Sequence, residues 1–293
     1  MSYSLVGKVV LITGPARGLG ARTAKMLAAR GAKIALVGLE PERLASLATE
    51  LGTGHLWFEC DVTKQAELDR AVAATVQAFG GIDVVVANAG VSSNGTVAIT
   101  PVDALVRTIE VNLIGVVRTV CATLPHVTER RGYYLLVSSA AALAAMPGIA
   151  PYAASKAGVE FFGNALRIEL AHKGVGVGVA HPSWVDTDLV RDQQRDLRSF
   201  NQMLKTFPGP LGRVTSIDKC VAAFVRGIER RARKIYVPGS LAPIAAVRQI
   251  LASPIAERIM KRHARTMIPQ LELEIRSLGR SFGATSVGLG PAE

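Results

Sequence analysis

The chain has 293 residues, 49% of them hydrophobic and 19% charged, and a formal net charge of +11. That balance can bury a full core, so it argues against a disordered polyelectrolyte and for one large α/β domain or two smaller ones. Three widely spaced cysteines without a CxxC pair, and five histidines without HxxxH spacing, argue against a disulfide scaffold or metal site and for reduced thiols in a cytoplasmic protein.

Apolar runs of strand length alternate with helical patterns. Lys8–Thr13 (KVVLIT) is a strand reached without a basic-then-apolar leader. A helix over Ala21–Arg30 stops at Gly31, and Lys33–Val37 is a second strand. Glu42–Leu51 is helical, and His55–Cys60 is a third strand closed by Asp61-Val62-Thr63. A helix to Phe79 ends at Gly80-Gly81, and Asp83–Ala87 is a fourth strand. A helix around Asp103–Thr123 leads to a fifth strand at Tyr133–Val137, with Val175–Ala180 and Ile235–Val237 as the sixth and seventh.

Continuous apolar strands between helices predict a doubly wound Rossmann-type α/β fold of about seven parallel strands with helices on both faces. The uncharged stretch Gly132–Ser155 imitates a membrane span, but Pro147, Gly148, Pro151 and its serines divide it into a strand and a loop. Residues 187–215 are polar before Pro208-Gly209-Pro210 and form a candidate lid. From Leu241 the rhythm changes. We therefore assign 1–240 to the α/β domain and 241–293 to a basic, apolar, helical extension, which packs on the domain, a partner subunit or a membrane surface.

Gly14, Gly18 and Gly20 lie between the first strand and its helix. Glycines there allow a tight turn and let backbone N–H groups approach a pyrophosphate at the helix N-terminus. Ala16, Arg17 and Leu19 of the same loop join them as candidate cofactor residues. The second strand ends at Gly38-Leu39, where an acid would bind the adenosine ribose. Without it, no carboxylate there repels a 2′-phosphate and Arg17 could neutralise one, although Glu40 could reach the ribose from further on. The cofactor expectation is NAD(P), tilted to NADP.

Tyr152 and Lys156 are four residues apart in a helical stretch, so they share one face. A nearby ammonium favours the phenolate, and a tyrosine tuned this way can exchange a proton with an alcohol or ketone. Ser139 precedes the pair, with Ser138 as its neighbour.

Thr13-Gly14-x3-Gly18-x-Gly20, Asp61-Val62, Asn88-Ala89-Gly90, Val111-Asn112-Leu113-x-Gly115, Ser139, Tyr152-x3-Lys156, and Pro182 with Thr187 occur in that order. With this set the chain resembles the compact short-chain dehydrogenases/reductases over about residues 5–240. The resemblance implies Tyr152 as acid–base group and Lys156 as lowering its pKa and holding the nicotinamide ribose. It implies Ser139 on the substrate oxygen and Asn112 holding a water in a proton relay. Asp61 and Val62 would contact adenine, and Asn88, Ala89 and Gly90 would flank the cofactor. Pro182, the Val185 backbone and Thr187 would lie at the carboxamide. Pro182-Ser183-Trp184 departs from the usual Pro-Gly, leaving Trp184 to line the pocket or pack in the core.

The implied function is NAD(P)-dependent hydride transfer to or from a secondary alcohol or ketone, in a homodimer or homotetramer. A candidate wall of Val91, Leu143, Ala144, Met146, Pro147, Trp184, Leu189, Val190 and Met203 suggests an apolar substrate. The alternatives are an epimerase or dehydratase on the same fold, or a non-catalytic dinucleotide-binding regulator.

From Arg213 onward 14 basic residues accompany 6 acidic ones. No aromatic-interleaved basic motif points to nucleic acid. Pro243, Pro254 and Pro269 predict short helices in the tail, with Ile250, Leu251, Ile255, Ile259 and Met260 among its cations. Such helices suit packing over the cleft or a neighbour, or peripheral contact with an anionic membrane.

Overall fold

The computed structural model describes residues 3–144, 146–207, 212–248 and 253–289. Its seven strands are β1 (Val9–Thr13), β2 (Lys33–Gly38), β3 (Leu56–Glu59), β4 (Val84–Ala87), β5 (Tyr133–Val137), β6 (Gly176–Pro182) and β7 (Lys234–Val237). All neighbours pair in parallel, in the order β3-β2-β1-β4-β5-β6-β7. The sheet is covered by helices α1 (Gly18–Ala28), α2 (Pro41–Leu51), α3 (Gln65–Phe79), α4 (Val102–Ile109), α5 (Gly115–Glu129), α6 (Ala150–Glu169) and α9 (Ile217–Glu229).

Successive strand residues point to opposite faces. In β1, Val9 and Leu11 join one core, while Val10 and Ile12 join the other. Leu68, Val120 and Val159 bring α3, α5 and α6 onto the first face; Leu27, Leu44 and Phe224 bring α1, α2 and α9 onto the second. Burial on both faces makes these strands read as continuous apolar runs. The winding reverses between β1 and β4. Loops leaving their carboxyl ends therefore diverge and open a crevice.

Several local expectations are corrected. α1 starts at Gly18 rather than Ala21, because Gly14 and Gly18 take left-handed φ values of 64° and 57° and shorten the turn. The expected helix around Asp103–Thr123 is interrupted by a π-turn at Glu110–Ile114. An extra residue in a helical turn re-aims the side chains beside it, and here it carries Asn112. The candidate lid contains α7 (Asp188–Asp196) and α8 (Arg198–Thr206), while Pro208-Gly209-Pro210 lies outside the described residues.

After α10 (Leu241–Ala246), α11 runs from Pro254 to Leu278 straight through Pro269, which was expected to break it. Leu271 and Ile275 beyond the proline are buried with Val190, Leu197, Phe200 and Leu204 of the lid segment. Tertiary packing of this kind outweighs one missing backbone bond. Ile250 and Leu251 lie outside the described residues. No described helix is long and apolar enough to cross a membrane.

Candidate active site

The crevice beside β1 and β4 continues into a long cleft with about 1360 Å³ of empty space, open solvent included. Gly14, Ala16, Arg17, Gly18, Leu19, Gly38, Leu39, Asp61, Val62, Asn88, Ala89, Gly90, Tyr152, Lys156, Pro182, Val185 and Thr187 all line it. Gly20 does not line it. A Cβ there would lie 2.4 Å from the Gly14 carbonyl oxygen, so this glycine lets the turn and helix pack together. Gly14 itself abuts Ala89, whose Cα would be 2.7 Å from an added Cβ.

Asn88 is a clamp. Its Nδ2 donates to the Thr13 and Gly14 carbonyls at 3.1 and 3.0 Å, joining the end of β1 to the end of β4. Asn112, fully buried, donates to the Val91 carbonyl at 2.8 Å and Ser155 Oγ at 3.1 Å, and accepts from the Val91 amide at 2.8 Å. It lines neither cavity and ties the β4 loop to α6, with both amide hydrogens engaged.

Asp61 stands at one end of the cleft. Its Oδ1 accepts from the Thr63 amide and hydroxyl, and its Oδ2 from Arg107 at 2.9 Å. Burial pushes its pKa up, but the Thr63 and Arg107 hydrogen bonds outweigh burial and hold it below the usual carboxylate range.

Lys156 and Tyr152 stand at the other end. Lys156 donates to the Val137 carbonyl at 2.9 Å, and its Nζ lies 5.7 Å from the Tyr152 ring centroid. Burial pushes the lysine pKa down to about 8. The tyrosine differs from the simple expectation. Burial raises its pKa, and the opposing influence is a hydrogen bond with Ser139. Ser138 is occupied elsewhere, donating to the Lys156 carbonyl at 2.7 Å.

A second cavity, with about 840 Å³ of empty space, open solvent included, meets the cleft at Ser139, Tyr152, Ser183, Leu189 and Val190. Met146, Pro147, Trp184, Leu189, Val190 and Met203 line it as expected. Val91 lies in the first cleft instead, and Leu143 and Ala144 line neither. Trp184 does both tasks considered for it, lining the cavity and packing edge-on to Phe200 at 5.2 Å between centroids.

Sequence reasoning missed the polar residues Ser92, Asn94, Gln193 and Ser199 of this cavity, and Met267 and Leu271 of α11. It also missed Arg107 and the C-terminal Thr285 and Ser286 in the cleft. Arg17 is not a free cation. It forms a two-point ion pair with Glu40 and donates to the Thr285 carbonyl at 2.9 Å.

The residues present fit a nicotinamide dinucleotide. A glycine turn opens onto a helix N-terminus, an acid lies at one end, and a lysine and tyrosine lie at the other. The comparisons agree. The short chain dehydrogenase family model matches residues 8–198. An uncharacterized oxidoreductase of Myxococcus xanthus is 32% identical over 267 residues, covering 89% of this chain and 98% of its own. A 3-alpha-(or 20-beta)-hydroxysteroid dehydrogenase of Mycobacterium tuberculosis is 34% identical, covering 64% of this chain and 73% of its own. The crystal structure of a 3-ketoacyl-(acyl-carrier-protein) reductase from Brucella melitensis complexed with NADH superposes with a TM-score of 0.72. It is 29% identical and covers 80% of this chain and 98% of its own.

Proposed function

This chain belongs to the short chain dehydrogenases, and from that premise we propose that it interconverts an apolar secondary alcohol and its ketone, with Tyr152 as acid–base group. The observation that carries the reading is the shared wall. Ser139 and Tyr152 face both the cleft and the apolar cavity. A bound nicotinamide would supply or accept the hydride. In reduction, the Tyr152 phenol gives a proton to the substrate oxygen; in oxidation, it takes one back. The Ser139 hydroxyl holds the same oxygen, where charge develops. The Ser139 hydrogen bond works against the burial that raises the phenol's pKa, and the Lys156 ammonium lines the same cleft, 5.7 Å from the ring centroid.

The cavity walls support an apolar substrate, as do relatives named for a hydroxysteroid and a ketoacyl chain. A panel of secondary alcohols and ketones, followed by nicotinamide absorbance with NAD and NADP in parallel, tests this. Steroid, aromatic or acyl ketones should be reduced fastest. Preference for sugar phosphates would overturn the substrate class.

The ion pair of Arg17 with Glu40 removes the cation on which the NADP expectation rested, and it places a carboxylate in the cleft beside Leu39. NAD is the better fit, because Glu40 would repel a 2′-phosphate. Glu40→Gln should release Arg17 and raise the NADP/NAD ratio of kcat/KM about tenfold, roughly 1.4 kcal/mol. A ratio that does not move would detach Glu40 from cofactor choice.

Arg258, Lys261, Arg262 and Arg265 are exposed on α11 and recur at helical spacing, which favours contact with an anionic lipid surface. The protein should co-sediment with anionic liposomes at low salt and not with neutral ones. Absence of binding to either would leave α11 with its packing role alone.

A further inference from the structure

The C-terminal segment lies across the dinucleotide cleft, beyond the residues the family model matches. α11 ends at Leu278, and Gly279, with a φ of 64°, turns the chain back over the domain. Arg280, Ser281, Phe282 and Thr285 of the segment that follows are each fastened to the domain. Arg280 pairs with Asp196 of α7. The Ser281 carbonyl accepts from the Asn94 amide at 2.7 Å, and Phe282 forms an antiparallel bridge with Ser93. The Phe282 side chain is buried in the core under the β4 loop. The Thr285 amide and hydroxyl both donate to Asp192 Oδ2, at 2.9 and 2.6 Å. The Thr285 carbonyl receives Arg17 of the glycine loop.

These anchors have a common geometry. One side of the strap holds α7, through Asp192 and Asp196. The other holds the glycine loop, through Arg17. Thr285 and Ser286, between them, line the cleft. A dinucleotide seated on the glycine turn would lie beneath this crossing, so it could enter or leave only when the Arg17 and Asp192 contacts open.

Asp192 is itself buried, at 2% exposure, and its other oxygen is held by Arg195. A Cβ at Gly283 would come within 2.6 Å of Asp192 Oδ2, so the strap presses close against it. The adjacent α7 residue, Gln193, donates to Asn94 Oδ1 at 2.7 Å, and both residues line the substrate cavity.

We propose that residues 280–286 form a latch that retains the dinucleotide, with Thr285 as the positioning residue that fastens it to Asp192 and Arg17. The proposal rests on the cleft being the dinucleotide site. Retention suits a protein that keeps its dinucleotide bound while substrate exchanges through the apolar cavity.

Stopped-flow displacement of bound NADH measures the release rate without turnover. Two variants open the latch: truncation after Gly279, and Thr285→Glu, which sets a second carboxylate against Asp192. Thr285→Ser keeps both donors and serves as the conservative control. Release should accelerate at least tenfold in both opened variants and stay within twofold in Thr285→Ser, while Thr285→Glu melts within a few degrees of wild type. Wild-type release rates in a folded Thr285→Glu protein would overturn the latch and leave the dinucleotide site standing. Failure of the wild type to bind either NADH or NADPH would overturn both.

Discussion

Tyr152→Phe is expected to lower kcat/KM for ketone reduction by about 100- to 10,000-fold, the range that a positioned proton donor contributes. The phenylalanine ring refills the space of a half-buried residue on α6, so the cleft and apolar cavity keep their walls. Dinucleotide affinity should therefore stay within about threefold, and the loss should appear in the chemical step. The direction of the tyrosine's pKa adds a pH signature. Burial raises it, so the phenol remains protonated through neutral pH. Reduction needs that form, and its rate should stay level until the pH approaches the raised pKa. Oxidation needs the phenolate and should gain as pH rises. Steady-state profiles in both directions check this. Turnover of Tyr152→Phe within tenfold of wild type would remove the residue from the acid–base role.

Lys156→Met is expected to damage two measurements and improve a third. Loss of the ammonium beside the phenol should cut kcat about 100-fold, and loss of its second task should weaken dinucleotide binding by about tenfold. Stability should move the other way. Holding a buried lysine at a pKa of about 8 rather than its ordinary value corresponds to about 3 kcal/mol of unfavourable charge burial at neutral pH. The sign follows from the depressed value. Folding disfavours the protonated form, so the penalty is fully present below about pH 8 and fades as pH rises towards the unfolded value. Part of the gain in the variant is offset by the Val137 carbonyl, which loses its 2.9 Å donor. Thermal melts at pH 7 should show Lys156→Met at least as stable as wild type. A markedly lower melting temperature with unchanged dinucleotide affinity would make Lys156 a structural anchor. A stabilised but inactive variant is the pattern expected where function holds a group in a place that folding disfavours.

The sheet was legible because its strands are buried on both faces. Val84, Val85, Val86 and Ala87 cannot alternate with polar residues when helices cover both sides. The glycine turn and the Tyr152/Lys156 spacing were legible because each is a local geometry, one on a βα turn and the other on a single helix face. What escaped depends on distance. Arg107 meets Asp61 from 46 positions away, and Arg17 meets Thr285 from 268. No spacing rule connects such pairs. The NADP tilt weighed Glu40 only as a ribose contact and not as a partner of Arg17 for the same reason, since an unpaired Arg17 and a paired one read identically in sequence. The π-turn at Glu110–Ile114 carries Asn112, whose side chain ties the β4 loop to α6, a contact that no sequence spacing announces. Pro269 was read as a break because a proline rule is local, whereas Leu271 and Ile275 are held by the lid helices. The apolar wall was recovered where it lay on the Met146–Pro147 loop and α7, and missed where α11 supplies Met267 and Leu271.

The central claim is that hydride passes at a carbon whose oxygen Tyr152 protonates. The direct measurement is isotopic: an apolar ketone is reduced with NADH carrying deuterium at nicotinamide C4, and the alcohol is analysed by mass spectrometry. The account predicts one deuterium on the carbinol carbon for each NADH oxidised from the transferring face, with the same label per alcohol but far less alcohol formed in Tyr152→Phe. Alcohol formed without label on that carbon, or conversion of substrate with no net NADH oxidation, would contradict it.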